Sequence, residues 1–594
     1  MGSTTDDGPD ETVALRAEAE AWLAEDPDPT TQGELRAILD RDDQAELAER
    51  FRAPLEFGTA GLRGRLGAGP GRMNRAVVLR ATAGLCRVLA QQVPDAGERG
   101  VVIGFDGRHG SRTFAEDAAG VCAAAGLRAW VFEELAPTPL VAWACAERRA
   151  AAGIVVTASH NPPQDNGYKV YWGNAAQIVP PVDQAIADAI ADAPGARRIP
   201  RLSRRDAEAH GLWRPLGKDT VDGYLHRIAS LPVHGDLPRG EVVIAYTAMH
   251  GVGGRFVQAA LARGGFPAVH VVPEQADPDP DFPTVAFPNP EEPGAMDRVL
   301  ALAASVRADL VMANDPDADR LAVAAPGDGG GFVQLSGNDL GCLLAHYLLS
   351  EGPADGRRFV AQSIVSSPLL RRIAEAHGAR CEQTLTGFKW IANRAMAIEA
   401  EDPEARFVMG YEEALGYTVG DLVRDKDGIG AALVTADLVA WCASRGTTLL
   451  GERELMWRRY GLAKSRQLSL KLTGLDGAAR IGRMMAGMRD EAPQEVAGRR
   501  VQAISDLLQG TRTTISDGVA HPLSFPASDV LSYELEGGQR LMLRPSGTEP
   551  KIKIYVDVTT EVTGDEPIAT AEARAEALAT ELGNAFKARV EAIA

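Results

Sequence analysis

Three aspartates, Asp315, Asp317 and Asp319, stand at alternate positions in the segment NDPDADR (314–320). In an extended loop, side chains at this spacing converge on one side, and a dense set of carboxylate oxygens suits Mg²⁺. Carboxylates this close raise one another's pKa unless a cation neutralises them. Calcium loops, aspartyl-phosphate enzymes and plain acidic turns show similar patterns. Arg320 directly follows the aspartates and is more natural beside a phosphate than in a calcium loop, so the segment favours a metal and phosphate site.

A serine next to a histidine, Ser159 and His160, lies in the segment TASHNPP (157–163), which two prolines stiffen. A serine held rigidly there could be a nucleophile, with His160 or Lys169 nearby to move protons. Taken alone, the segment favours a turn in which Ser159 and Asn161 only satisfy backbone groups. The segment is not a GxSxG nucleophile elbow, so nothing indicates an acyl-transfer hydrolase.

Anion binding is the better interpretation of the run Arg-Pro-Ser-Gly-Thr at 544–548. Arg544 offers a bidentate fork for phosphate, and the small residues after it let backbone N–H groups wrap around an anion. Ser546 and Thr548 add two hydroxyls, with Gly547 between them. An ordinary turn between two strands is the alternative.

Two further clusters contain single charged residues whose roles stay open. Glu412 and Glu413 could accept hydrogen bonds from sugar hydroxyls or could be solvated loop charges, and the residue types do not separate these readings. Lys389 follows Thr386 and Gly387 in TGFK and is a mobile cation or a proton carrier, although single lysines near strand ends are usually surface charges.

These clusters share a position relative to the predicted strands. Four of them directly follow apolar strand-like runs (GIVV, DLVMAN, RFVM and RLML), and the fifth follows the more polar CEQTL. Ligands of open parallel sheets bind beyond the carboxyl ends of the strands. Because apolar runs alternate with Ala-rich helical stretches, the chain is predicted to be α/β, with mostly parallel sheets covered on both faces. Helices are predicted from Thr12 to about Arg52, and an α+β module after Arg466.

Length and composition exclude several classes of protein. The chain has 594 residues, enough for about three to five domains, with 45% hydrophobic and 24% charged residues, as in soluble globular proteins. A net charge of −19 opposes binding to nucleic acid or an anionic membrane. Six scattered cysteines without CxxC indicate reduced thiols. No signal peptide or membrane span is predicted, so a cytoplasmic location is expected.

Taken together, the clusters predict a Mg²⁺-dependent phosphoryl-transfer enzyme with a serine, a phosphate clamp and a hydroxyl-binding loop. Their combination also closely resembles the α-D-phosphohexomutase superfamily (the phosphoglucomutase/phosphomannomutase family), in its long phosphoglucomutase and phosphopentomutase branch. The matching segments occur in family order from about residue 55 to 560: FGTAGLRG (57–64), TASHNPPQDNGYKVYW (157–172), TAMHGVGG (247–254), NDPDADR (314–320), TGFKW (386–390), GYEEALGY (410–417), RDKDG (424–428) and RPSGTEPKIKIY (544–555).

The resemblance implies an α/β fold of three related α/β/α domains plus a C-terminal α+β domain like the TATA-binding protein, heart-shaped with a central cleft. The expected organisation is an N-terminal helical extension at 1–50, followed by four domains named after their loops. These are domain I with the phosphoserine loop (51–222), domain II with the metal-binding loop (223–337), domain III with the sugar-binding loop (338–465) and domain IV with the phosphate-binding loop (466–594).

The resemblance also implies a role for each candidate residue. Ser159 would be the phosphoserine, and Mg²⁺ would sit on its phosphate together with Asp315, Asp317 and Asp319. The other catalytic candidates are Arg63 and Arg320 near the transferring phosphoryl group, and His160, Lys169 and Lys389 as acid/base or charge-stabilising groups. The substrate-binding candidates are Glu412, Thr386 and Gly387, with Arg544, Ser546, Gly547 and Thr548 on the phosphate that does not react.

The activity implied is an isomerase of carbohydrate metabolism that interconverts hexose 1-phosphate and hexose 6-phosphate, with α-D-glucose the leading sugar. Phospho-Ser159 would act through a bound 1,6-bisphosphate, and glucose 1,6-bisphosphate would prime the enzyme. The only expected partner is a small sugar phosphate, and the enzyme is expected to be a monomer or a homodimer. Two positions depart from the pattern of many relatives: Pro316 stands where a glycine is common, and Ala414 where hexose-specific relatives often carry a serine.

Because of Ala414, pentose 1-phosphates are a real alternative. Phosphomannomutase activity is a further alternative within the same class of enzyme. Another alternative is a glucose 1,6-bisphosphate synthase that uses a different phosphate donor. A phosphatase with an aspartyl-phosphate at Asp315 also fits the acidic segment. A non-catalytic sugar-phosphate sensor is disfavoured, because degraded motifs are expected in a sensor and the set here is complete.

Overall fold

The computed structural model describes residues 9–472, 477–546 and 551–593. The chain divides into two compact units. The first unit contains residues 1–334 and 416–440, and the second contains residues 335–415 and 441–594. All of the predicted strand-forming runs quoted above become strands, which confirms the α/β class.

Three helices open the first unit, as predicted: α1 (Pro9–Glu25), α2 (Pro29–Asp40) and α3 (Gln44–Phe51). The side chain of Asp28 caps α2 by accepting from the Thr30 N–H, and Asp43 caps α3 by accepting from the Glu46 N–H. The three helices pack through a small hydrophobic core of their own, formed by Leu15, Ala19, Leu35, Ile38, Leu39, Leu47, Phe51 and Ala68.

The first sheet has six strands, in the order β1-β5-β4-β2-β3-β6. They are β1 (Leu62–Arg65), β2 (Val101–Phe105), β3 (Ala129–Phe132), β4 (Ala152–Val156), β5 (Asp165–Trp172) and β6 (Trp213–Leu216). The helices of this region are α4 (Arg75–Gln92), α5 (Ala96–Arg99), α6 (Ser111–Ala124), α7 (Thr138–Glu147), α8 (Val182–Ala191), α9 (Arg204–Ala209) and α10 (Lys218–Ile228). The pairings β2–β3, β2–β4 and β3–β6 are parallel, whereas β5 pairs antiparallel with β4 and β1.

The second sheet, also in the first unit, has the order β11-β10-β9-β7-β8. Its elements are β7 (Ile244–Thr247), α11 (Gly254–Arg263), β8 (Val269–Val271), α12 (Asp297–Val306), β9 (Leu310–Ala313), β10 (Ala322–Pro326) and β11 (Phe332–Gln334). The prediction of mostly parallel strands holds in part here: β7–β8 and β7–β9 are parallel, whereas β9–β10 and β10–β11 are antiparallel. The connection from β9 to β10 holds only the acidic segment, which is too short for a parallel crossover.

The third sheet lies in the second unit, where β12 pairs in parallel with β13 and with β14. The elements are α13 (Gly337–Glu351), β12 (Arg357–Ser363), α14 (Leu369–Ala376), β13 (Arg380–Thr384), α15 (Phe388–Glu401) and β14 (Ala405–Glu412). Strand β15 (Gly416–Val419) and the start of α16 (Gly428–Ser444) return to the first unit. Helix α17 (Leu449–Tyr460) belongs to the second unit.

The C-terminal module is the predicted α+β structure. Its antiparallel sheet runs β16-β23-β22-β21-β18-β19-β20, with β17 paired to β18. The elements are β16 (Leu462–Lys471), α18 (Gly477–Asp490), β17 (Glu495–Val496), β18 (Arg499–Asp506), β19 (Thr511–Thr514), β20 (Ala520–Pro522), β21 (Leu531–Leu535), β22 (Arg540–Pro545), β23 (Lys551–Thr560) and α19 (Ile568–Glu591). Met542 and Tyr555 of this sheet pack with Ile364, Val365 and Leu385 in one hydrophobic cluster.

Two of the polar clusters lie closer to their strands than predicted. Glu412 is the last residue of β14, and Arg544 lies inside β22. A side chain within a strand is held by the neighbouring strands, so these two groups are more firmly placed than loop residues. Among the helices of the described ranges, none combines the length and the hydropathy needed to cross a membrane.

Candidate active site

The loop between β4 and β5 presents Ser159, whose side chain is buried. Ser159 adopts a φ of +51°, which is uncommon for a residue other than glycine. Its N–H donates to Thr157 Oγ1 at 2.8 Å, and its Oγ donates to Asp315 Oδ2 at 2.7 Å. His160 Nδ1 lies 3.1 Å from the same Oγ. The serine hydroxyl is therefore held between an acidic loop of the second sheet and an imidazole.

The three aspartates lie in the connection that follows β9, and all three are buried. One carboxylate oxygen of each lies within 4.8 Å of the others. Oδ1 of Asp317 and Oδ1 of Asp319 are buried without a hydrogen-bond partner. Buried polar atoms are normally satisfied, and hard carboxylate oxygens are the ligands that Mg²⁺ and similar cations prefer. The residues present thus fit a bound metal ion.

Cations and hydroxyls surround the acidic loop. Lys169 Nζ lies 2.8 Å from Asp317 Oδ2 and 3.2 Å from Asp319 Oδ2. Lys426 Nζ lies 3.1 Å from Asp319 Oδ2, and Thr138 Oγ1 donates to Asp317 Oδ2 at 2.7 Å. These contacts neutralise part of the acidic charge inside the protein, where an unpaired carboxylate is costly.

The surroundings move the pKa values of these groups in opposite directions. Burial, followed by the charges of Asp317 and Asp319, raises the pKa of Asp315 well above its usual value. Burial also opposes ionisation of Asp317, but Lys169 and hydrogen bonds outweigh it and lower the pKa of Asp317. Burial acts against the Lys169 ammonium, yet the charges of Asp317 and Asp319 raise the pKa of Lys169. Burial, reinforced by Arg320, lowers the pKa of His160. Lys169 is therefore a fixed cation, and His160 is neutral at neutral pH.

The two predicted arginines flank this cluster. The Arg320 N–H donates to Asp315 Oδ1 at 3.0 Å, and Arg320 Nη1 lies 3.5 Å from Glu291 Oε2. Arg63, on β1, is exposed and donates to Asn161 Oδ1 at 3.0 Å, on the same loop as Ser159. The structure thus brings together all the predicted groups of the first unit. We call them the serine–aspartate cluster: Arg63, Ser159, His160, Lys169, Asp315, Asp317, Asp319 and Arg320.

A second set of predicted residues comes together in the second unit. Glu412 Oε1 accepts from the N–H of Gly387 at 2.6 Å, and Arg544 Nη1 donates to Thr386 Oγ1 at 2.6 Å. Gly387 has a φ of +116°, which disfavours a side chain at this position. We call Thr386, Gly387, Glu412, Glu413 and Arg544 the glutamate–arginine cluster.

Glu413, for which sequence analysis left two readings open, is half-buried and bonded. Its Oε2 accepts from Ser363 Oγ at 3.1 Å and from Ser366 Oγ at 3.4 Å. Burial and the neighbouring Glu412 raise the pKa of Glu413 to about 7. Glu413 is therefore not a solvated surface charge.

The remaining candidates of the second unit are placed in part. Lys389 lies in the first turn of α15, and the N–H of Ser546 donates to the carbonyl of Lys551 at 2.8 Å. The predicted phosphate ligands Gly547 and Thr548 lie outside the described residues.

Comparison with known families covers most of the chain. Four models match: phosphoglucomutase/phosphomannomutase alpha/beta/alpha domain I at residues 54–195, domain II at 222–329, domain III at 336–460 and the C-terminal domain at 489–575. The chain belongs to the phosphoglucomutase/phosphomannomutase family. It is a phosphosugar mutase, an isomerase that transfers phosphate within a sugar phosphate, as the resemblance implied.

Relatives within this family carry several names. A Haemophilus influenzae protein described as a probable phosphomannomutase is 42% identical over 490 residues, which is 82% of this chain and 93% of that protein. The phosphopentomutase of Mus musculus is 35% identical over 93% of this chain and 92% of its own length. A phosphoglucomutase of Staphylococcus epidermidis is 33% identical over 86% and 92%, respectively.

Solved structures share the fold. A phosphoglucomutase/phosphomannomutase family protein from Burkholderia thailandensis superimposes with a TM-score of 0.63 at 20% sequence identity, covering 91% of this chain and 97% of that one. This agreement confirms the predicted fold of three α/β/α domains and a C-terminal domain.

Sequence analysis assigned no role to several residues that contact the serine–aspartate cluster, among them Glu291, Lys426, Thr138 and Arg108. Lys426 lies in the quoted motif RDKDG but was given no role, and Thr138 had no signal beyond a Pro-Thr-Pro segment. Arg108 follows β2 and was also overlooked, although its position fits the rule that polar groups after strands line the site.

Proposed function

We propose that this phosphosugar mutase interconverts the 1-phosphate of an aldose and the phosphate ester of its terminal primary hydroxyl by way of phospho-Ser159. The observation that carries the proposal is the serine hydroxyl 2.7 Å from Asp315 Oδ2, at the edge of a buried group of three carboxylates. Phosphoryl transfer depends mainly on positioning and on charge neutralisation, and this cluster supplies both.

The proposed reaction has two transfers. In the first, the free hydroxyl of a sugar monophosphate attacks phospho-Ser159, the sugar O–P bond forms and the Oγ–P bond breaks. The hydroxyl proton passes to the released Oγ, and a bisphosphate results. In the second, Ser159 Oγ attacks the other phosphate of the bisphosphate, the Oγ–P bond forms and the P–O bond to the sugar breaks. The sugar oxygen that leaves takes up the proton that Ser159 loses. His160 Nδ1, 3.1 Å from Oγ, would take the serine proton in this step once the hydroxyl turns from Asp315 Oδ2. Glucose 1,6-bisphosphate would prime the unphosphorylated enzyme by the same second transfer.

The charged side chains have complementary proposed roles. Mg²⁺ would be held by an oxygen of the phosphate on Ser159 and by Asp315, Asp317 and Asp319. When bound, the ion would neutralise charge on the phosphoryl group. Lys169 balances the charge of the aspartates. Arg320, which directly follows the acidic segment, and Arg63 of β1, which contacts Asn161 on the Ser159 loop, would stabilise charge on the transferring phosphoryl group.

The glutamate–arginine cluster has the chemistry of substrate recognition. Glu412 would accept hydrogen bonds from sugar hydroxyls, and Arg544 and Ser546 would bind the phosphate that does not react. The contact with Thr386 supports phosphate binding by Arg544, because the Thr386 hydroxyl accepts from the Arg544 guanidinium and fixes the direction of that guanidinium. The proposed role of Lys389 remains acid/base catalysis or charge stabilisation. Phosphate binding remains the proposed role of Gly547 and Thr548.

For the sugar, we propose a pentose 1-phosphate in place of the α-D-glucose that the motifs first favoured. Two observations support this choice: Ala414 offers no hydroxyl for a further sugar contact, and the phosphopentomutase of Mus musculus matches over 93% of this chain. A hexose 1-phosphate is the second candidate. It is favoured by the Haemophilus influenzae and Staphylococcus epidermidis relatives, whose names specify mannose and glucose.

The test uses the purified full-length chain with Mg²⁺ and catalytic glucose 1,6-bisphosphate. The 1-phosphates of ribose, deoxyribose, glucose and mannose are compared by kcat/KM. We expect the highest value for a pentose, and a highest value for glucose or mannose would establish the second candidate. Ser159→Ala is expected to abolish turnover, whereas Ser230→Ala, on an exposed serine, is expected to retain it.

The location of labelled phosphate separates the remaining alternatives. Label on Ser159 supports the proposal, and label on Asp315 would establish an aspartyl-phosphate enzyme instead. Net formation of bisphosphate from another phosphate donor, without isomerised monophosphate, would indicate a bisphosphate synthase. Near-normal turnover by Ser159→Ala would contradict the proposed mechanism.

A further inference from the structure

Arg108 lies directly beneath the loop that carries Ser159, and the proposed reaction gives it no role. Its side chain is buried, with only 4% of the residue's surface exposed. Nη2 donates to the carbonyls of Ser159 at 2.6 Å and Asn161 at 2.5 Å. Nη1 donates to the carbonyls of Pro162 at 2.7 Å and Asp165 at 3.1 Å. One guanidinium therefore binds three carbonyls of the connection between β4 and β5 and the carbonyl of Asp165, the first residue of β5.

The other edge of this guanidinium is fixed by the segment after β2. Arg108 Nε lies 3.4 Å from Asp106 Oδ2 in an ion pair without a hydrogen bond. Asp106 Oδ1 accepts from the Arg108 N–H and from Ser111 Oγ. The guanidinium carbon lies 5.0 Å from the centre of the Phe282 ring. Because the fork is planar, hydrogen-bonded to four carbonyls and paired in charge with Asp106, it sets the positions of the carbonyls that it binds.

The Ser159 backbone needs such an anchor. Its φ of +51° is a costly conformation that persists only where the surroundings hold it. Thr157 Oγ1 accepts from the Ser159 N–H, and Arg108 binds the Ser159 carbonyl, so both peptide groups that flank the serine Cα are fixed. The direction of Oγ toward Asp315 follows from this backbone conformation.

We propose that Arg108 is a positioning residue for phosphoryl transfer, one that holds Ser159 Oγ at its place beside the acidic loop by binding the carbonyls of the serine loop. This inference rests on the proposed function, since it requires Ser159 to be the group that is phosphorylated. It assigns to Arg108 an effect on the transfer steps and not on the binding of the sugar phosphate.

Arg108→Lys tests this assignment because it keeps the charge but replaces the planar fork with a single ammonium. A displacement of the reacting group by about 1 Å costs about 100-fold in rate, so we expect kcat to fall about 100-fold. The KM for the sugar phosphate is expected to change less than about threefold, because the substrate-binding groups are elsewhere.

Arg99→Lys is the matched control. Arg99 lies in the same domain and also donates to three backbone carbonyls, those of Arg149, Ala150 and Gly173, none of them in the serine loop. Both variants are compared with the wild type for kcat, KM, Tm and the rate at which labelled phosphate passes from bisphosphate to Ser159. The rate of labelling is the readout that a merely structural role in the fold does not move.

The expected result is slow labelling and a low kcat for Arg108→Lys alone, with near-normal values for Arg99→Lys. Wild-type labelling by Arg108→Lys would overturn the inference, as would equal losses of kcat and Tm in both variants. If Arg108→Lys does not fold, Asp106→Asn is tested in its place, because it keeps Arg108 but removes its anionic partner. Slower labelling of Asp106→Asn supports the inference, and unchanged labelling overturns it. If wild-type Ser159 takes up no phosphate at all, the proposed function fails, and the inference falls with it.

Discussion

The two clusters of polar residues hold their charges in different ways. In the serine–aspartate cluster, each carboxylate contacts a cation or a hydroxyl: Asp315 meets the hydroxyl of Ser159, Asp317 meets Lys169 and Thr138, and Asp319 meets Lys169 and Lys426. In the glutamate–arginine cluster, Glu412 accepts from a backbone N–H, Glu413 from two serine hydroxyls, and Arg544 donates to a threonine hydroxyl.

This difference matches the proposed division between phosphoryl transfer in the first cluster and substrate recognition in the second. A network of buried ion pairs fixes its members in one arrangement whether or not substrate is present, which suits groups that act on a transferring phosphoryl group. A charged group that is oriented by neutral partners keeps its direction while a ligand can still contribute the opposite charge. We therefore expect changes in the first cluster to lower kcat, and changes in the second to raise KM.

Metal removal is the change with the largest expected effect on this comparison. Chelation should lower kcat about 1,000-fold or more, because a bound cation contributes several kcal/mol to neutralising the phosphoryl group. Added Mg²⁺ should restore turnover in the wild type but not in Asp317→Asn, which lacks one carboxylate of the buried triad. The measurement is kcat against free Mg²⁺, with sugar-phosphate binding followed separately. Loss of substrate binding in step with kcat would break the proposed division between the clusters.

Arg544→Lys should have the next largest effect, and on KM. Lysine keeps the charge but loses the bidentate fork and the directed contact with Thr386 Oγ1, so KM is expected to rise about 10-fold, near 1.4 kcal/mol. The kcat should stay within about threefold of the wild-type value. Steady-state kinetics with the best sugar 1-phosphate measures both, and Arg512→Lys, on an arginine paired with Glu534, is the control. A fall in kcat at constant KM would place Arg544 with the catalytic groups.

Glu413 gives the smallest expected effect, a dependence of KM on pH. The pKa of Glu413 is raised to about 7, so it is largely protonated at pH 6 and largely ionised at pH 8. The ionised form adds negative charge beside Glu412, so KM for the anionic substrate should rise a few-fold from pH 6 to pH 8. Glu413→Gln stays neutral and should show a flatter profile, while any titration of the substrate itself is common to both proteins. Parallel profiles for the two proteins would contradict this role.

The same shift has a consequence for stability, with a definite sign. The folded-state pKa of Glu413 lies above the usual glutamate value, so the folded state holds a proton that the unfolded chain has already lost between about pH 4.5 and 7. Its contribution to the free energy of unfolding is therefore present at low pH and is lost as the pH rises through 7. From pH 5 to pH 8, the Tm of the wild type should therefore fall relative to the Tm of Glu413→Gln, which has no carboxylate at this position.

Much of the candidate site follows from local sequence patterns. Ser159, the three aspartates and Arg544 each stand at or near the end of an apolar run that becomes a strand, and short-range patterns of this kind survive folding. The antiparallel pairing of β9 with β10 was not expected from the same runs. An apolar run does not show whether a strand pairs parallel or antiparallel with its neighbour, and this depends on the length of the connection between the paired strands. Glu413 could not be assigned, because its serine partners lie about 50 residues earlier in the chain.

By itself, the sequence determined which chemical groups this mutase carries and near which strands they lie, since both depend on residue type and on local periodicity. Only the tertiary structure decided which charges neutralise one another. Lys169 reaches Asp317 from 148 residues away because β5 pairs antiparallel with β4 in one register, and Arg108 reaches the Ser159 carbonyl from 51 residues away because β2 lies next to β4. Such contacts depend on the order and the register of the strands in the sheet. The strands are similarly apolar and could pair in other orders or registers, so these contacts cannot be predicted from any single segment of the chain.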